Sequence, residues 1–309
     1  MIIRDTLLWG AEQLKRAEIQ EYRKEAEMLL SACIDRNRLW LYMYPEITVS
    51  EQDFTPYRKS ICKRAERIPI QHILGRCDFM HMELLITPDV FIPRPETELV
   101  VEEAISRVKS YELGVMSKNK RKNSELRTHN SELRILDLCT GSGCIAIALA
   151  RRFSEATVIA TDISQRALKI AKINAERYGV EDKITFLAGD LFEPLTHYIS
   201  YLDTYDLIIS NPPYIPTDDI PYLQAEVAYD PQIAINGGKD GLCYLRRISK
   251  EAHRFLKSGG YLILEIGDGQ AGNVFEMLDS TGRYESPEVS KDIAGIDRII
   301  TAKKREWKR

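Results

Sequence analysis

The 309 residues exceed the roughly 250–300 at which a single hydrophobic core stops growing, so two domains are expected. Hydrophobic residues at 44% and charged residues at 29% are ordinary globular values, which excludes a wholly disordered or fibrous chain. Forty-three basic against 46 acidic side chains leave a net charge of −3, no electrostatic footprint for sequence-independent binding along a phosphate backbone.

No uncharged apolar run reaches the ~18 residues that span a bilayer. The opening MIIRDTLLWG places Asp5 ahead of its apolar residues and has no cleavage site, so no secretory signal is expected. The 6 cysteines lack C-x-x-C spacing, and the 5 histidines lack an H-E-x-x-H pair. A reduced, cytoplasmic chain without a metal, a disulfide scaffold or a membrane partner is the expectation.

In chain order, residues 1–67 read as helices. Leu7, Leu8, Ala11 and Leu14 share one helical face, as do Tyr22, Ala26, Leu29, Leu30 and Cys33, and later Phe54, Tyr57, Ile61 and Ala65. Asp5 and Ser50 stand where N-caps belong. A small antiparallel bundle follows. Residues 68–111 read as a hairpin, with strands around His72–Phe79 and Glu83–Ile86, and then a helix that Pro95 opens and that runs to about Lys109. Residues 112–133 are anomalous: the stretch SKNKRKNSELRTHNSELR is polar and carries NSELR twice, at 123–127 and 130–134. A five-residue copy is too short for a solenoid, and a flexible insertion is expected.

From 134 to 309 strands and helices alternate, which implies a parallel sheet covered on both faces. Candidate strands are Ile135–Leu138, Thr157–Thr161, Lys183–Leu187, Asp206–Ser210 and Tyr261–Ile266. Helical stretches lie near Gly143–Arg152, Ser164–Tyr178, Leu242–Leu256 and Ala271–Leu278. Two last strands, near Tyr284–Val289 and Asp297–Ala302, form a hairpin that places an antiparallel strand in the sheet. The basic end KKREWKR reads as a frayed tail.

Two places carry chemistry. In RILDLCTGSGCIAIALA a buried strand ends in a glycine-bearing turn before a small-residue helix. Gly141 and Gly143 let the backbone approach a ligand, and the free N–H groups of the helix start face it. Asp162, at the end of the second strand, can accept hydrogen bonds from both ribose hydroxyls, and Gly189–Asp190 follow the third strand, where a polar group can meet adenine. Taken alone, the turn suits an adenosylmethionine site, a dinucleotide site of the G-x-G-x-x-G/A type through Gly141, Gly143 and Ala146, or a turn with no ligand.

The second place is Asn211-Pro212-Pro213-Tyr214 at the carboxyl end of the fourth strand, the edge where open α/β sheets bind ligands. A planar, conjugated nitrogen is a poor nucleophile, and two fixed acceptors can turn its lone pair toward an electrophile. The Asn211 side-chain oxygen and the Pro212 carbonyl can accept its two N–H bonds, the latter held by fixed φ angles, and Tyr214 can stack on the planar group. Such positioning suffices where the electrophile, a sulfonium methyl, is already activated.

The combination of D-x-x-T-G-S-G with N-P-P-Y resembles methyltransferases acting on planar nitrogens. PIQHILGRCDFM, FIPRPETE, ISNPPYIP, DPQIAINGGKDGLCYLRRI and LILEIGDGQ together resemble the peptide chain release factor glutamine methyltransferase family, from roughly Arg64 to Lys303. The resemblance implies a Rossmann-like class I methyltransferase fold, mostly parallel, behind an N-terminal helical domain that docks the partner. It implies methyl transfer from S-adenosyl-L-methionine to the glutamine of the Gly-Gly-Gln motif in class 1 release factors. Cys139, Thr140, Gly141, Ser142, Gly143, Asp162 and Asn211 fall on the family's cofactor positions, Asp190 and Leu191 near its adenine contacts, and Asn211, Pro212, Pro213 and Tyr214 on its glutamine site. Cys139 stands where glycine is more usual, and Leu191 where some members have an aromatic that stacks on adenine. Arg94 and Glu96 either line the site or form structural ion pairs. The alternative is a nucleic-acid methyltransferase acting on an adenine or guanine amine, against which the near-neutral charge and the lack of a basic recognition domain count.

Overall fold

The computed structural model describes residues 1–119, 133–196 and 201–306, and side chains within these except at 109–119. The chain separates into two compact units. One comprises Met1–Arg76, Ile86–Pro88 and Leu223–Tyr229; the other comprises Cys77–Leu85, Asp89–Tyr222 and Asp230–Arg309.

The first unit is helical: α1 (Ile3–Arg16), α2 (Tyr22–Cys33), α3 (Arg38–Met43), α4 (Glu51–Ala65) and α5 (Ile70–Leu74). The apolar stripes of α1, α2 and α4 meet in a core that includes Leu14, Leu29, Leu30, Tyr57 and Ile61. Burying each such side chain contributes about 1.5–3 kcal/mol, which makes the amphipathic spacing rather than helix propensity the organising force. Ser50 caps α4, its hydroxyl accepting from the Asp53 N–H at 3.1 Å. Asp5 is not a cap: α1 starts at Ile3 after an uncapped Ile2, and Asp5 sits within the first turn, where its charge suits the helix dipole. His72 is likewise not in a strand, because Pro69 starts α5 and Gly75, at φ 69°, ends it. Inside this unit the buried Arg64 bonds Glu25 and, at 2.9 Å, Glu226, and Arg67 reaches the other oxygen of Glu226 at 2.9 Å.

The hairpin of β1 (Arg76–Phe79) and β2 (Met82–Leu85), which belongs to the second unit from Cys77 on, comes next, then α6 (Pro95–Asn119). α6 continues past Lys109 into the stretch expected to be a flexible insertion; the rest of that stretch, 120–132, lies outside the described residues. There follow β3 (Leu133–Leu138), α7 (Cys144–Arg152), β4 (Ala156–Asp162), α8 (Gln165–Arg177), β5 (Ile184–Ala188), α9 (Glu193–Thr196), β6 (Tyr205–Ser210), α10 (Gln232–Ile235), α11 (Cys243–Glu251), β7 (Leu256–Glu265), α12 (Ala271–Ser280), β8 (Glu288–Lys291) and β9 (Asp297–Lys303).

The strands form one 7-stranded sheet in the order β5-β4-β3-β6-β7-β9-β8. From β5 through β7 they are parallel, and β9 is antiparallel to both β7 and β8. The final hairpin therefore inserts its second strand beside β7. Its first strand is shorter than the apolar pattern suggests, and Tyr284 makes only an isolated bridge to Lys304. That lysine is buried, its ammonium bonding Asp203 and the Leu256 carbonyl, so the basic end is anchored through Lys304; residues 307–309 lie outside the described residues.

The register decides where chemistry sits. Leu138 pairs with Thr161 on one side and with Ser210 on the other. The segments leaving β3, β4 and β6 therefore emerge together at one edge, beside the point where the strand order reverses. The Ser210 hydroxyl donates to the Leu138 carbonyl at 2.8 Å and pins two of those ends.

Candidate active site

A cleft with about 1010 Å³ of open space lies at that edge. Cys139–Ser142, Asp162, Asp190–Leu191 and Asn211–Tyr214 all line it. Gly143 stands behind them as the N-cap of α7 at φ 82°, and a Cβ there would come within 3.1 Å of both Ala171 and Ile147. Its missing side chain lets α7 pack closely on α8.

On the glycine side one carboxylate organises the backbone. Asp162 Oδ2 accepts from the Gly141 N–H at 2.9 Å and Oδ1 from the Ser164 N–H at 2.8 Å. Burial raises its pKa above the ordinary value, and those two N–H bonds oppose the rise. Deeper still, Asp137 is fully buried and takes the Thr140 hydroxyl at 2.6 Å; burial pushes its carboxyl up to about 7. Both departures from the family pattern have a backbone consequence. Cys139 has φ 58° and Leu191 has φ 51°, the left-handed region that disfavours side chains and explains a glycine at the first position. Asp190 is held by both nitrogens of Arg247, at 3.1 and 2.8 Å, a partner the sequence did not single out.

On the other side the tetrapeptide is held from behind. The Asn211 Nδ2 donates to Thr97 Oγ1 at 3.0 Å, Thr97 donates to Glu265 Oε2 at 2.7 Å, and the Tyr214 hydroxyl donates to Glu265 Oε1 at 3.1 Å. Glu265 is 1% exposed, and burial lifts its carboxyl to about 7. Burial likewise raises the Tyr214 phenol, with Glu265 adding to it. Gln270 Nε2 donates to the Tyr214 carbonyl at 2.8 Å. Gly237 packs against the same backbone, where a Cβ would lie 2.8 Å from the Tyr214 Cα. Among the described residues, no donor bonds Asn211 Oδ1 or the Pro212 carbonyl.

Arg94 pairs with the buried Asp230 at 2.5 Å and lies over the Phe91 ring, 4.9 Å from its centre. It thus supports the cleft wall through Phe91 without lining it, and Glu96 is not in the lining either. Thr97, Glu265 and Arg247 escaped the residue-by-residue reading of the site. Only one carried a local signal: a glutamate inside the apolar run LILEI, aligned with the buried face of a strand.

Residues 5–75 match the PrmC N-terminal domain and residues 129–308 a methyltransferase domain. The chain is 38% identical over 299 residues to the release factor glutamine methyltransferase of Geobacter sulfurreducens, across 96% of this chain and 95% of the relative. It is 33% identical over 303 residues to that of Clostridium acetobutylicum, across 98% of each. Among solved structures, the hMettl16 catalytic domain in complex with the MAT2A 3'UTR hairpin 6 matches 80% of this chain and 81% of its own at 16% identity with a TM-score of 0.52, a likeness of fold. Two domain matches in this order and nearly full-length identity at this level lead to one assignment: the chain belongs to the release factor glutamine methyltransferase family.

Proposed function

We propose that this protein methylates the side-chain amide nitrogen of the glutamine in the Gly-Gly-Gln motif of class 1 release factors, in the cytoplasm, with S-adenosyl-L-methionine as donor. The observation that carries the reading is that Asn211–Tyr214 lines the same cleft as the glycine turn and Asp162. The cleft suits the donor on its own chemistry. Asp162 keeps lone pairs for ribose hydroxyls beyond its two backbone bonds, and nothing stands within 4 Å of where a Cβ at Gly141 would project. When bound, the donor supplies a sulfonium methyl, an electrophile that needs no further activation. Cys139–Gly143 and Asp162 would hold it, with Asp190 and Leu191 toward its adenine.

The remaining work is done by the chain. Asn211 Oδ1 and the Pro212 carbonyl accept the two N–H bonds of the glutamine amide and fix its plane. Tyr214 stacks on that plane, and the lone pair is left facing along the cleft. The helical unit docks the release factor, supported by Leu39, Tyr42 and Met43 of α3, which are 66%, 60% and 59% exposed.

The decisive experiment is mass spectrometry of a release factor before and after treatment: one added methyl on its glutamine is expected, and label entering only nucleic acid overturns the reading. Replacing Leu39 and Met43 together by serine should raise KM for the release factor while leaving donor affinity unchanged; an unaltered KM removes the docking role.

A further inference from the structure

An asparagine side chain has an accepting end and a donating end of nearly equal shape. In the proposed function only one orientation of Asn211 works, with Oδ1 toward the substrate amide, so something must hold it there. The chain from Asn211 through Thr97 to Glu265 does so by hydrogen-bond polarity. An ionised carboxylate can only accept. Glu265 Oε2 therefore claims the Thr97 proton at 2.7 Å, and the Thr97 oxygen is left to accept the Asn211 N–H at 3.0 Å. With the nitrogen turned inward, the oxygen faces the cleft. The second carboxylate oxygen takes the Tyr214 hydroxyl at 3.1 Å, so one buried group addresses both ends of the tetrapeptide.

A purely structural role does not account for a carboxylate here. Among the described residues Glu265 has no ion pair; the neighbouring Arg298 bonds Asp292 and the Ile266 carbonyl instead. A buried carboxyl without a cation is costly, and a neutral glutamine would be easier to keep. We infer that Glu265 is a positioning residue for methyl transfer: acting through Thr97, it keeps the Asn211 side-chain oxygen turned toward the acceptor nitrogen and seats Tyr214 beside it. The inference rests on the proposed function.

It carries a pH dependence. Burial raises Glu265 to about 7; Thr97, Tyr214 and Arg298 favour its charged form, and Glu96 opposes it. Once protonated, Glu265 can donate to Thr97, whose own proton then turns toward Asn211 and favours the flipped amide. The rate of methyl transfer should therefore rise with pH through about 7, as the carboxyl ionises.

The test compares wild type, Glu265→Gln, Thr97→Val and Thr97→Ser on a release factor at saturating donor. Glu265→Gln and Thr97→Val should each lower kcat by up to about 100-fold and flatten the rise near neutrality, with donor affinity unchanged. Thr97→Ser, which keeps the hydroxyl, should restore most of the rate lost in Thr97→Val and the pH limb with it. Variants that keep the wild-type rate, or lose rate with the limb intact, overturn the inference. A wild type that does not methylate the glutamine overturns the proposed function instead.

Thermal unfolding checks the premise. A carboxyl raised from its ordinary 4.5 to about 7 contributes stability that is lost as pH rises through that window, because the unfolded chain releases the proton first. The Tm of Glu265→Gln relative to wild type should climb between about pH 5 and about pH 8. A flat difference means that the folded and unfolded chains titrate Glu265 alike there, and the pH dependence falls.

Discussion

The two rims of the cleft are built by opposite means. On the glycine side a backbone loop is organised by a side chain close by: Asp162 is tied to Gly141 and Ser164, across adjacent strand ends. On the tetrapeptide side a backbone already stiffened by two prolines is served by side chains brought from afar. Thr97 lies 114 positions from Asn211 and 168 from Glu265. In the proposed function the first rim binds the donor and needs amides and a carboxylate in place, which local geometry supplies. The second aims a nitrogen and needs one side-chain rotamer and one polarity, which only a buried network supplies.

Three substitutions sharpen that contrast. The largest effect is expected from Asn211→Ala, which should lower methyl transfer by roughly 10²–10³-fold while donor binding persists in calorimetry. Activity near wild type would make both rims mere binding surfaces. Next, Asp162→Asn removes a charged acceptor from the other rim, where each such bond contributes about 1.5–3 kcal/mol. Donor KM should rise by about ten- to a hundredfold with kcat at saturation little altered, and a collapse in kcat alone would show that the rims are not separable in this way. The smallest effect belongs to Cys139→Gly. Relief of a left-handed residue, about 1–2 kcal/mol, is opposed by the lost packing of the thiol and by a freer unfolded chain. The net change in stability should stay within about 1 kcal/mol, and a larger loss in a melting experiment would assign the thiol a packing role that outweighs its strain.

Most of the sheet was legible in the sequence because each buried parallel strand is a short apolar run, and strand–helix alternation leaves few topologies. Lys304 is buried although it sits in a basic end, because composition does not decide order there: its partners, Asp203 and the Leu256 carbonyl, are distant in sequence. His72 was lost to α5 through a boundary set by Pro69 and Gly75, a local signal outweighed by the strand-like residues around it.

By itself the sequence determined the alternation, the glycine turn, the place of Asp162 and the tetrapeptide, because each depends on contiguous residues whose φ preferences and periodicity act over one or two turns. Only the tertiary structure decided that Arg94 serves Asp230, that Arg247 holds Asp190, and that a glutamate in an apolar strand stands behind Asn211 and Tyr214. Those pairings join elements that meet only when the sheet closes, and the direction of a hydrogen bond is set by the partner that it finds there.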